Sequence, residues 1–82
     1  MNEGEEVTKP GPVMKDINYD LVKLLQQKLS IAWQLEHFCI EDAEKAQCHS
    51  TPALKEILKD EKRHAKMIAE EIKMRVEAGK FD

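Results

Sequence analysis

Between Asn18 and His49 the chain contains neither glycine nor proline, and apolar residues recur at helical spacing throughout that stretch. Such a segment has almost no option but a long amphipathic helix. Its stripe runs Leu21, Leu25, Leu29, Ala32, Cys39, Ala43 and Ala46, widened by Leu24, Trp33, Leu35 and Ile40. Asn18 has the side chain of a helix N-cap, Asp20 would sit in the first turn, and Ile17 with Val22 are spaced as a hydrophobic staple. His49-Ser50-Thr51-Pro52 is the break, with Thr51 suited to cap a second helix and Pro52 to its first position. The second stripe is Leu54, Ile57, Leu58, Ala65, Ile68, Ile72 and Val76, with Met67 and Met74 at its edges. Gly79 marks the stop, just after Lys73 and Arg75 at the negative end of the helix dipole. The expectation is an all-α fold: an antiparallel two-helix hairpin over residues 18–82, with helices at about 18–48 and about 52–78. Residues 1–17, rich in charge and carrying Gly4, Pro10, Gly11 and Pro12, are expected to form a flexible N-terminal arm.

A hairpin of 82 residues cannot bury two wide apolar faces against each other alone. A core of this size supplies only about 3–5 kcal/mol, and a disulfide, a metal or a second copy normally supplements it. Disulfide bonding is excluded within the chain, because Cys39 and Cys48 would stand roughly 13 Å apart along one helix, so both are expected as reduced thiols. The simplest completion is a homodimer that forms a four-helix bundle. With 13 basic against 16 acidic residues and a net charge of -3, no nucleic-acid partner is expected. No run of about 18 apolar residues is present to cross a bilayer, and the acidic start is unlike a signal peptide, so the expected location is the cytoplasm.

Polar residues interrupt both stripes. On the second helix Glu61 and His64 replace apolar side chains, and Glu-x-x-His sets a carboxylate and an imidazole on one face, one turn apart. Burying such groups is costly unless they are paired or bound to metal, and this spacing is the one that bundle-core di-metal sites use. A first-helix partner should be as far from the turn as Glu61 is. The midpoint of Glu36 and Glu61 falls between Cys48 and His49, at the break, whereas that of Lys28 and Glu61 falls between Glu44 and Lys45, within the helix. Glu36 is therefore the expected partner, and Lys28 the weaker one. Glu36, Glu61 and His64 are too few for two metals in one chain, but a two-fold axis doubles them to suit two iron ions per dimer. Glu61 would then bridge, with Glu36 and His64 terminal; manganese or zinc are the substitutes such a shell would take.

With Glu36 on the first helix, Glu61-Lys62-Arg63-His64-Ala65-Lys66-Met67 on the second and Ser50-Thr51-Pro52-Ala53-Leu54 between them, the chain resembles the ferritin-like superfamily. The likeness is to the two-helix encapsulated ferritins and the rubrerythrin-type di-iron hairpin, over roughly Leu21 to Met74. It implies metal ligands at Glu36, Glu61 and His64, a dimeric site, rings of dimers, an enclosing protein shell, and ferroxidase activity converting Fe(II) to Fe(III). Two departures are visible. A second way of matching the family pattern puts its first-helix acid at Lys28, which would then pair with Glu61 as a metal-free ion pair. No four-cysteine rubredoxin-like module is present.

The competing expectation is a non-enzymatic helical-hairpin dimerisation module, in which Lys28, Glu36, Glu61 and His64 form ion pairs that set the register. His37, Cys39, Cys48 and His49 do not make a zinc site, since residues 37 and 39 point about 200° apart on a helix. Trp33 reads as a core aromatic, and Glu41, Asp42, Glu44 and Lys45 as a solvated face.

Overall fold

The computed structural model describes residues 14–82, so nearly all of the expected arm lies outside the described residues. Among those residues all regular secondary structure is helical. Helix α1 runs Asp16–Gln34, a π-helical turn occupies Leu35–Cys39, α2 continues as Ile40–Lys45, and α3 runs Thr51–Glu77 antiparallel to them. The two arms of the hairpin meet at Ala32, Leu35, Ile40, Ala43 and Ala65, all buried. Three of these five are alanines, whose small side chains let the helix backbones approach closely.

The π-helical turn decides the phase of everything after it. The Ile40 N–H donates to the carbonyl of Leu35, five residues back, which absorbs one extra residue into the turn. Leu35 and Ile40 thereby both face α3, whereas uninterrupted 3.6-residue periodicity would centre the stripe on Ala32, Cys39 and Ala43. Cys39 is only half buried, and Glu36 is turned out to solvent.

Helix α1 begins earlier than the capping pattern suggests. Its N-cap is Lys15, and Asn18 lies inside the helix, fully buried. Asn18 Nδ2 donates to the backbone carbonyls of Lys80 (2.9 Å) and Asp82 (3.3 Å), and Arg75 Nε donates to Asn18 Oδ1 at 2.5 Å. The Lys15 amide also donates to the Asp82 carbonyl at 2.9 Å, and the Lys15 ammonium lies 3.3 Å from the Asp82 carboxylate. These bonds fasten the segment after α3 across the start of α1.

The C-terminal ends of α2 and α3 close in the same way. After α3, Lys80 N–H donates to Arg75 O and Gly79 N–H to Val76 O, with Gly79 at φ 71°. After α2, Cys48 N–H donates to Ala43 O and Gln47 N–H to Glu44 O, with Gln47 at φ 53°. Each is a Schellman closure, which needs a left-handed residue at its second-last position. Gln47 carries a Cβ there and is strained, so Gln47→Gly is expected to stabilise the hairpin by about 0.5–1 kcal/mol. Urea unfolding of the two proteins, read by helical circular dichroism, measures the difference. Helix α3 starts at Thr51, but its hydroxyl donates back to Cys48 O (3.0 Å) instead of capping forward, and Ser50 makes no side-chain cap bond.

At 100° per residue, the two arms leave two open flanks. The first carries Ile17, Leu24 and Ile31 from α1 and Ile57 from α3, all exposed, whereas the exposed Met67 and Met74 lie on the far side of α3, about 180–200° from buried Ala65. The second carries Val22, Leu29 and Trp33 from α1 and Val76 from α3, and two ion pairs bridge the arms along it: Glu36–Lys62 (3.4 Å) and Glu44–Lys55 (3.1 Å).

Candidate functional site

Of the ion pairs among the described residues, Lys28–Glu61 is the most enclosed. Lys28 stands in the α1 stripe between Leu25 and Ala32, and Glu61 in the α3 stripe between Leu58 and Ala65. Their apolar neighbours therefore hold both in the seam, toward the first flank. Lys28 Nζ lies 3.2 Å from Glu61 Oε1, with the side chains 26% and 15% exposed. That oxygen is screened from solvent and accepts no directed hydrogen bond, so the ammonium's charge is what balances it. The pair spans the seam obliquely. Glu36–Lys62 has its midpoint at His49 and Glu44–Lys55 between His49 and Ser50, whereas Lys28–Glu61 is centred between Glu44 and Lys45; two long side chains cover the offset.

The other two expected ligands point elsewhere. Glu36 lies on the second flank with Lys62, both more than half exposed. Leu35, three residues after buried Ala32, takes the inward position beside it and leaves Glu36 outside. His64 is half buried one turn beyond Glu61, and its Nε2 lies 3.2 Å from Arg63 Nη2. Within one chain the structure therefore does not bring Glu36, Glu61 and His64 together, and among the described residues no group of three His, Cys, Asp or Glu side chains is placed to hold a metal ion. The donor set of a single chain does not fit iron: the Glu61 charge is already met by an ammonium, and the first-helix carboxylate faces the opposite flank.

Two arrangements were not expected from sequence. One is the Asn18–Arg75 clasp; an asparagine spaced three residues before Leu21 and seven before Leu25 continues the apolar stripe, and that spacing was its only signal. The other is an aromatic group in which Trp33 contacts His37 (centroids 4.9 Å apart) and Phe38 (5.3 Å, edge-on). Trp33 and Phe38 are five residues apart and are brought together across the π-helical turn. Trp33, expected in the core, is exposed.

The interhelical turn holds Cys48, exposed, with its Sγ 3.1 Å from Ser50 Oγ. Hydrogen bonding from the Ser50 hydroxyl, and then from its backbone, holds the Cys48 thiol below its ordinary pKa, because both stabilise the thiolate. Near neutral pH Cys48 is expected to alkylate faster than the half-buried Cys39, and Ser50→Ala to slow Cys48 selectively. Mass-resolved labelling with iodoacetamide across a pH series reads both; equal rates at the two cysteines would contradict the assignment.

No family model matches the chain, and neither a curated protein nor a solved structure matches it. What the fold defines is an all-helical hairpin with an ion pair in its seam and an open apolar flank beside it. Among the described residues no helix is long and apolar enough to cross a membrane.

Proposed function

We propose that this chain is a self-associating helical-hairpin module, whose first flank packs on a second copy to complete a four-helix bundle around the Lys28–Glu61 pairs. The observation that carries the reading is the Lys28–Glu61 contact itself, 3.2 Å long and set in the seam beside the open flank. Oppositely charged side chains among apolar neighbours add little net stability but penalise any register that separates them, which is the use a pairing surface has for them. The flank around the pair supplies the driving force. Ile17, Leu24, Ile31 and Ile57 are each at least 42% exposed, an apolar band of the kind that marks an interaction site.

Sedimentation equilibrium at micromolar concentration is expected to give a dimer for the natural chain and a folded monomer for Ile31→Asp. A monomer for the natural chain would overturn the proposal.

The di-iron ferroxidase remains the second reading, favoured by the half-buried Glu61-x-x-His64 face and by the π-helical turn at Glu36, since such turns recur at functional sites. It needs a dimer in which Lys28 is displaced and Glu36 turns inward. Anaerobic titration with Fe(II) separates the two: about one iron per chain supports the di-iron centre, and no stoichiometric binding supports the ion-paired module.

A further inference from the structure

The second flank has a chemistry of its own, independent of whether the first flank pairs. On α1, Val22, Leu25, Gln26, Leu29 and Ser30 line an open groove of about 430 Å³. Its lining is almost wholly apolar, and exposed Trp33 stands at one end. The register is set by the bond from Asn18 to the Lys80 carbonyl and by the Glu36–Lys62 pair, so α3 presents Ala69 and Lys73 at the level of this groove. Lysines recur along that side of α3: Lys55 and Lys62 are tied to Glu44 and Glu36. Lys59, Lys66 and Lys73 are exposed and make no ion pair among the described residues. They are seven residues apart, so their charges repeat about every 10 Å along the helix.

From this juxtaposition we infer that the second flank docks an amphipathic helix of a partner protein that carries an acidic edge. Its apolar side chains fill the α1 groove, and acids at heptad spacing meet Lys59, Lys66 and Lys73. The groove matches the helix-in-groove mode of recognition, and the unpaired lysines give it a sign: an acidic helix is attracted where a basic one is repelled.

Trp33 is the chain's single tryptophan and reports the event directly. The experiment titrates the full chain with a synthetic leucine–glutamate amphipathic helix and follows Trp33 emission, with a leucine–lysine helix and phosphatidylserine vesicles in parallel. The expected result is a saturable blue shift with the acidic helix alone. It should weaken about tenfold in the Lys66→Glu/Lys73→Glu protein, two exposed pairs being reversed, and be lost in Leu29→Asp. Circular dichroism confirms that these surface variants fold. Equal binding of both peptides, a shift with vesicles only, or no shift at all would overturn the inference. So would dissociation of a dimer by Leu29→Asp, since a second copy would then occupy this flank. Neither that result nor the peptide titration is the Ile31→Asp test of self-association, so the two readings fail separately.

Discussion

Asn18→Ala is expected to lower the unfolding free energy by about 2–3 kcal/mol, one of the two largest single-residue losses in the hairpin. Asn18 is fully buried, donates to the carbonyls of Lys80 and Asp82, and accepts from Arg75 Nε. Alanine removes all three bonds and leaves a guanidinium nitrogen and two carbonyls to find other partners near the junction of α1 and α3. In a domain of this size the loss corresponds to a fall in Tm of roughly 10 °C or more. Asn18→Asp is the informative companion. It keeps an acceptor for Arg75 but sets a carboxylate against two carbonyls, so it should fall between the natural chain and Asn18→Ala at acidic pH, where the carboxyl is protonated and can donate again. Thermal unfolding at two pH values reads both. An unchanged Tm in Asn18→Ala would mean that the clasp makes no net contribution.

The second large effect is expected at the seam. Glu61→Ala leaves the Lys28 ammonium without its counter-charge, and Lys28→Ala leaves the screened Glu61 oxygen without the cation it faces among the described residues. Each single change should cost about 2–3 kcal/mol, below the 3–5 kcal/mol of a fully buried broken pair because both side chains retain some exposure. Lys28→Met combined with Glu61→Leu should recover most of that loss, because apolar side chains of similar volume need no desolvated charge to be balanced. Urea unfolding of the four proteins, with and without Fe(II), gives the coupling energy by a double-mutant cycle. A metal centre reverses the pattern: Glu61→Ala would keep or gain stability without metal and lose only the increment that Fe(II) confers. Additive losses, with no coupling between positions 28 and 61, would show that the contact is incidental.

Lys28 also shows where reading along the chain fails. The turn midpoint favours Glu36 over Lys28 as the partner of Glu61, and it is sound for backbone levels: Glu36 does lie level with α3 near Lys62. Two properties that backbone level does not carry decided the outcome. Glu36 is rotated out of the seam, Leu35 taking the inward place beside Ala32, and lysine is long enough to reach obliquely along it. The lysine alternative was legible, as a charge inside a leucine stripe, and so was the partial enclosure of Glu61 and His64. That His64 would lie beside Arg63, and Glu36 beside Lys62, was not, since both depend on the rotation of one arm against the other.

The existence of the helices and of a break between them, the stop at Gly79 and the antiparallel return follow from local rules, although the break falls at residues 46–50, earlier than the expected His49–Pro52. Backbone hydrogen bonds close over four or five residues, glycine tolerates positive φ, and a short turn between amphipathic helices leaves one way to cover their stripes. Those features were determined by the order of residues alone. The wide turn at Leu35–Cys39, the burial of Asn18 as a clasp and the meeting of Lys28 with Glu61 belong to the tertiary structure. Each is a balance between side chains separated by a whole helix, and the phase of that helix changes by roughly 100° when a single residue is absorbed into a turn.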